Sequence, residues 1–586
     1  MDRLSSKRVT LILVLLLIFG FVLRSIVANN LSPSADESVY GTHAINFFAS
    51  GATSNQNQSP VWFYLADVFY KIFGVTLFSS RFTSILYSTF TIIIIFLLTK
   101  KLFDIKTALI ASFLFTFSSY ALEFTLMEMD ATFTFFYVLS LYFFISKLFE
   151  EDKISLLSGL FYGIAVLTKA ISIMLAPGFV LVYLVYFLRH KEKRKVLVNR
   201  NNILRALIVV ITILVFMTPI LSYNYLLYKE KGLTDIMFAR FFDVSEDFYS
   251  SISPTLQSFS PSLLIEKGLK QSFIFFYEFD PLILFLFLTG VLLSLFKKNL
   301  KMMLLILAFL PTYLFLSGTS LLGNHFLVFI PLFAIGGALT CVFFLEKLKN
   351  NKTKKYALIF FCILFISFNL FSIRDILTSQ SAVGQLREFA IENIDEKTLV
   401  LVDNRIYGGR TAWLFNDKHY LEVSNIDAVI KAAENLPTQE IQIKTIFVEC
   451  SANDCGWGTV TQGPLNDSME LFSAQIKDSA KKVAEFNAGG GDRPITKPYF
   501  EVYGTTSSLK PEVLEIVDQT HIWFYYPVRW QLKERIYDSY TPKGFIDKSI
   551  DAFAKLILYL ALTIALLTPL FLIHRIYKEY KKETPP

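Results

Sequence analysis

Residues 9–28 read VTLILVLLLIFGFVLRSIVA, and about eight residues further on stand the adjacent carboxylates Asp36 and Glu37. At about 1.5 Å per residue, a run of about 20 residues crosses a hydrocarbon core of about 30 Å. Arg3, Lys7 and Arg8 precede it. A cleaved signal peptide has the same basic start, but its apolar core is about 7–15 residues long and ends at a small-residue site. This run is longer and carries no A-x-A pattern, so it is read as a retained transmembrane helix. Paired carboxylates just beyond it place a candidate reaction centre where the chain leaves the bilayer.

The rest of the chain extends the pattern. Hydrophobic residues make up 53%, charged residues only 18%, and there are 60 Phe, a composition suited to lipid rather than to a soluble core. Further spans are expected near 85–99, 108–120, 131–146, 154–168, 173–188, 206–221, 281–296, 302–316, 326–345, 356–371 and 552–573, giving about 12 transmembrane helices.

Lys and Arg gather in alternate short loops, as the positive-inside rule requires. With the N-terminus cytoplasmic, the inside set holds Lys100, Lys101 and Lys106, then Lys147 and Lys153, the run Arg189 to Lys195, Lys297 to Lys301, Lys347 to Lys355, and finally Arg575 to Lys582. The short outside turns contribute Lys169 alone. Both termini are therefore expected in the cytoplasm of a multi-pass plasma-membrane protein. The net charge of +7 is an orientation signal, which argues against nucleic acid as a partner.

The expected organisation is a transmembrane module (1–373) with outer loops 29–84 and 222–280, an extracytoplasmic α/β domain (374–550), and a last helix with a basic tail (551–586). The outer domain shows β-type runs at Thr398–Asp403, Lys444–Glu449, Phe500–Thr505 and His521–Val528, with helical stretches at Ser381–Asn393 and Glu470–Asn487. Cys450 and Cys455 in this domain suit a local disulfide, a zinc pair or two free thiols. Gly489-Gly490-Gly491 lacks the strand, helix and Lys-Ser/Thr ending of a phosphate loop and is read as a turn. No nucleotide fingerprint occurs elsewhere, so no nucleotide cofactor is expected.

Carboxylates recur on the same outer side at Glu123, Glu128 and Asp130. Residues two apart share one side of an extended strand but not of a helix, so Glu128 and Asp130 grip one divalent cation only if the turn is extended. The competing reading makes Asp130 an N-cap for the span beginning at Ala131. Asp36 and Glu37 have the parallel alternative of a solvated pair opening a helix over Ser38–Ala49.

Read in order, several short motifs form a resemblance. Asp36-Glu37-Ser-Val-Tyr40-Gly41-Thr-His43-Ala44 is followed by Ser59-Pro60-Val-Trp62-Phe-Tyr64, Phe73-Gly74, Arg81-Phe82, Met129-Asp130, Gly163 to Lys169, and Gly323-Asn-His325 to Pro331. This series resembles the dolichyl-phosphate-mannose protein mannosyltransferases and the aminoarabinose transferases of the membrane glycosyltransferase C fold. The Trp-Trp-Asp sequon-reading motif of oligosaccharyltransferases is missing, with only Asp454-Cys-Gly-Trp457 in its place. The β-trefoil insert of eukaryotic protein mannosyltransferases is not apparent either.

The resemblance implies an α-helical polytopic enzyme that moves a sugar from a polyprenyl (dolichyl or undecaprenyl) phosphate in the membrane lipid to an extracytoplasmic protein, glycan or lipid acceptor. Such a donor carries its own leaving group. The chemistry then needs a base for the acceptor proton and cations for the departing phosphate. Asp36, with Glu37 and Asp130, forms the candidate catalytic set, and Asp36 is the expected base. Lys169, Arg81, Arg240 and His325 are the expected phosphate partners, with Tyr40 and His43 as further substrate contacts. Glu128 and Asp130 are the candidate metal ligands. Lys169 has a competing reading as a cation snorkelling to headgroups, and Trp62 and Tyr64 one as interface anchors. A transporter or lipid flippase is the rival from another class, but its charges belong near the bilayer midplane. Here they gather at one surface. A membrane-anchored receptor does not need twelve spans.

Overall fold

The structure is a computed structural model that describes residues 6–582 apart from 56–57, 243–259, 320–321, 407, 435, 451–454, 456–466, 493–498, 521, 524–525 and 528–539. Each of the expected spans falls on a helix. Among the described residues nine helices are long and apolar enough to cross a membrane, from Lys7–Asn30 to Gly544–Lys578. Three more, Ile105–Phe117, Leu156–Thr168 and Pro281–Phe296, are apolar but shorter. The chain is a multi-pass membrane protein.

Burial sorts the helices into a centre and a rim. The apolar windows of Leu77–Leu102, Asp130–Glu151 and Gly323–Lys347 are 83%, 89% and 83% buried, whereas that of Asn351–Ser372 is 11% buried. A helix that is apolar all round and enclosed belongs to the core, and one that is apolar yet exposed faces lipid. Close approach between helices uses glycine: a Cβ on Gly290 would lie 2.1 Å from the Gly336 carbonyl oxygen, too near for any side chain. Arg24, inside the first span, is buried and turned inward, donating to Ser88 Oγ at 2.7 Å and to the carbonyls of Gly20, Phe115 and Thr116, as a charge at membrane depth must.

The described part of the first outer loop holds more helix than the sequence pattern implies. Residues 29–84 contain the helices Ala35–Ala44, Phe47–Ser50 and Val61–Phe73 before the second span begins at Leu77. Asn46 ends the first of these in a left-handed conformation, φ 55°, which breaks the expected continuous helix over Ser38–Ala49. Trp62 and Tyr64 are fully buried, and Tyr64 donates to the Ala52 carbonyl at 2.6 Å. They hold the loop together and do not anchor an interface. Helix Arg200–Lys231 and the last helix, Gly544–Lys582, each run past their expected spans and are joined beyond them by Lys229 and Asp547 at 2.8 Å.

The outer domain is built on a five-stranded mixed sheet: β1 (Leu399–Val402), β2 (His419–Glu422), β3 (Ile441–Cys450), β4 (Lys481–Phe486) and β5 (Phe500–Leu509), in the order β2-β1-β3-β5-β4. β1 runs parallel to β2 and β3, while β5 is antiparallel to β3 and β4. The expected helix over Glu470–Asn487 is corrected: helix Asp467–Ser479 stops and Lys481–Phe486 forms an edge strand. Charged edge residues suit that place, and Lys482 pairs across to Glu501 at 2.6 Å. β2 is four residues long, too short to be legible as a pattern. The expected strand over His521–Val528 reduces to Ile522–Trp523 paired with Tyr526–Pro527, and its other positions lie outside the described residues. Cys450 and Cys455 form a disulfide.

Candidate active site

The first outer helix opens with a reciprocal cap. Ser34 Oγ accepts from the Glu37 amide, and Glu37 Oε2 accepts from the Ser34 amide at 2.9 Å, the pattern that satisfies two free amide donors at once. Because Glu37 performs the cap, Asp36 beside it is left for other work. Glu37 is also fully buried and receives Arg81 Nε at 2.8 Å, Arg81 Nη2 at 3.0 Å and the Met127 amide at 2.7 Å.

Arg81 is equally committed. Its remaining nitrogen, Nη1, donates to the Ala28 and Leu31 carbonyls at 2.7 Å each. A buried ion pair survives only when hydrogen bonds complete it, and this one ties the end of the first span, the start of the second and the turn at Met127 into one joint. The expectation that Arg81 holds phosphate and that Glu37 reacts is therefore corrected. Both are spent on the scaffold.

Asp130 sits in the first turn of helix Asp130–Glu151 but does not cap it; Met129 occupies the cap position and no side chain caps there. Instead Asp130 Oδ1 accepts from Lys169 Nζ at 2.6 Å, both side chains being less than a tenth exposed. Asp130 Oδ2 is buried with no hydrogen-bond partner among the described residues. Lys169 interrupts two helical segments with extended backbone, φ −153° and ψ 121°. It points into protein, which removes the snorkelling reading.

Asp36 lies within electrostatic reach of Lys169. Burial, the largest influence, pushes its carboxyl up to about 6; Lys169 opposes that rise and Glu37 adds to it. Desolvation disfavours the charged form of an acid, and a carboxyl poised near neutrality is suited to accept a proton. Burial, then Asp130, Glu37 and Asp36, likewise raise the Glu128 carboxyl well above its ordinary range. Asn324 Nδ2 donates to Glu128 Oε2, and Ser84 Oγ donates to the Glu128 carbonyl at 2.9 Å. Asn324 carries no sequence signal beyond its place next to His325. His325, on the 3₁₀ helix Gly323–Phe329, feels the charges of both Lys169 and Asp130.

Tyr40 is one helical turn beyond Asp36 and so on the same side; its hydroxyl accepts from Gln58 Nε2 at 3.3 Å. His43 is buried with its ring against Phe63, centroids 6.4 Å apart. Arg240 lies on helix Ile236–Phe242, and its side chain is outside the described residues. Asp36, Tyr40, Glu128, Asp130, Lys169 and His325 thus gather, while Glu37 and Arg81 form the joint beneath them.

A divalent cation at Glu128 and Asp130 fits this arrangement poorly. Among the described residues no three His, Cys, Asp or Glu side chains converge as a cage. Lys169 takes one Asp130 oxygen and Asn324 one Glu128 oxygen, and an ammonium at 2.6 Å repels a second cation.

Residues 57–223 match the family model described as dolichyl-phosphate-mannose-protein mannosyltransferase. The crystal structure of ArnT from Cupriavidus metallidurans bound to undecaprenyl phosphate superposes with a TM-score of 0.51 and 14% identity, covering 85% of this chain and 98% of that one. The fold is that of the membrane glycosyltransferase C proteins. The family match spans residues 57–223 only, and at 14% identity the structural likeness is one of fold. The archaeal oligosaccharyltransferase AglB from Archaeoglobus fulgidus, in complex with an inhibitory peptide and a dolichol-phosphate, aligns with a TM-score of 0.42 at 13% identity, covering 74% of this chain and 69% of that one. No curated protein sequence matches the chain.

Proposed function

We propose that the protein is an inverting membrane glycosyltransferase that takes a sugar from a polyprenyl phosphate and transfers it to an extracytoplasmic acceptor, a protein hydroxyl, a glycan or a lipid. The observation that carries this reading is the buried Lys169–Asp130 pair beside Asp36, in a fold shared with a structure bound to undecaprenyl phosphate.

The acceptor oxygen attacks the anomeric carbon from the face opposite the phosphate. As the new C–O bond forms, the bond to the phosphate oxygen breaks, and the phosphate leaves with the electron pair. Asp36 takes the acceptor proton. Lys169, held by Asp130, presents its ammonium to the departing oxygens; an ammonium has three donors, and among the described residues one is hydrogen-bonded, to Asp130. Positioned donors aimed at developing negative charge supply much of such a rate enhancement. The basic loops support cytoplasmic termini and an outward-facing site in the plasma membrane. The test is mass analysis of polyprenyl-phosphate sugars and surface glycans in cells lacking the protein. An accumulated lipid-linked sugar and a matching missing glycan residue are expected; unchanged levels of both overturn the proposal.

A further inference from the structure

The loop that carries Asp36 is fastened at three places by the outer domain. Gly489-Gly490-Gly491 is wedged where no side chain fits: added Cβ atoms would lie 2.2 Å from the Gln380 oxygen, 2.0 Å from the Asp375 oxygen and 1.8 Å from the Asn30 oxygen. These are backbone atoms that cannot rotate away. The turn is bonded where it sits. The Ser32 amide donates to the Gly491 carbonyl at 2.8 Å, and the Ser381 amide donates to the Asn30 carbonyl at 2.8 Å. Asp492 Oδ2 completes the turn by accepting the amides of Gly489 at 2.9 Å and Ala382 at 3.0 Å.

Two residues of helix Gly408–Leu414 make the second and third fastenings. Arg410 Nη2 donates to the Pro33 carbonyl at 3.2 Å, and its Nη1 to the carbonyl of disulfide-bonded Cys455 at 3.0 Å. Trp413 is fully buried, donates through Nε1 to Ser80 Oγ at 3.2 Å, and stands 3.1 Å from where a Cβ on Gly41 would be. The contacts reach Asn30, Ser32, Pro33 and Gly41, on both sides of Asp36. From these contacts we infer that the Gly489–Asp492 turn, Arg410 and Trp413 are positioning residues for Asp36, so that the outer domain sets the geometry of the reacting base.

This inference rests on the function proposed above, and its test is chosen to be separable from it. In a Cys362→Ser background carrying Asp36→Cys, labelling by a membrane-impermeant maleimide reads the loop directly, without any activity. Gly491→Ala should raise the labelling rate about tenfold or more, as local opening exposes the loop, whereas Gly504→Ala in β5 should not. In the chain that keeps Asp36, Gly491→Ala should lower kcat about 10²-fold with KM for the lipid-linked sugar unchanged, because a misplacement of about 1 Å has that effect. If Gly491→Ala fails to fold, Arg410→Ala should reproduce both effects and Arg410→Lys should restore part of each. Labelling that does not change in either variant overturns the inference whatever the activity; faster labelling with wild-type kcat keeps the clamp and removes Asp36 from the reaction.

Discussion

Lys169 Nζ lies 2.6 Å from Asp130 Oδ1, with both side chains less than a tenth exposed. Nearly forty positions apart in sequence, they meet because one opens a span and the other closes a neighbouring one. Removing one member of a buried pair leaves an uncompensated charge, which costs about 3–5 kcal/mol. Lys169→Met should therefore lose both thermal stability and donor affinity. The double variant Lys169→Met/Asp130→Asn should recover stability but not affinity. Thermal melting and donor titration of the purified single and double variants check this, and donor affinity that returns with stability would deny Lys169 a phosphate contact.

Asp36→Asn retains size and hydrogen-bonding capacity but cannot accept the acceptor proton. Turnover at saturating donor should fall by about 10²–10⁴-fold, the usual worth of a positioned base, while insertion and folding persist. In the wild type the rate should climb with pH through about 6 and level off above it, since only the ionised carboxylate works. Wild-type turnover in the Asn variant would exclude Asp36 as base.

The same group makes a stability prediction of opposite sign. Burial raises the folded carboxyl from an ordinary 3.8 to about 6, so folding favours its protonated form. That contribution is complete below about 4 and is lost as pH rises through about 6. At pH 8 the fold bears a partly buried charge, which Asn does not carry. Asp36→Asn should therefore melt above wild type at pH 8, with the gap closing as pH falls toward 4.

The Glu37–Arg81 joint is structural. Arg81→Ala strands a buried carboxylate and should cost about 3–5 kcal/mol, seen as a lower melting temperature or loss of inserted protein. Arg81→Lys cannot reproduce the two bonds to Glu37 together with those to Ala28 and Leu31. If Arg81→Lys melts like wild type and only donor affinity falls, Arg81 belongs with the phosphate contacts after all.

Lys169 already supplies the positive charge beside Asp130. Extensive treatment of the purified protein with EDTA should accordingly leave transfer and donor binding unchanged. A loss restored by one added divalent cation would return Glu128 and Asp130 to the role of ligands.

The sequence by itself determined the twelve helical segments, because a span is a local property: about 20 apolar residues need lipid whatever surrounds them. It also located Asp36, Asp130 and Lys169, since charges at the edges of such spans stand out against the apolar background. It was silent on which charges were free. The Ser34-x-x-Glu37 spacing carries a capping-box signature, but nothing in the order of Asp36 and Glu37 says that Glu37 is also the partner of Arg81 while Asp36 is influenced by Lys169. That division depends on Arg81 and Met127 arriving at one carboxylate, and hydrogen bonds between residues far apart in the chain leave no periodic trace. The glycine triplet is the same case. It reads as a loose turn in sequence, yet the backbones of Asn30, Asp375 and Gln380 close around it, and only tertiary packing decides that a residue without a side chain is needed there.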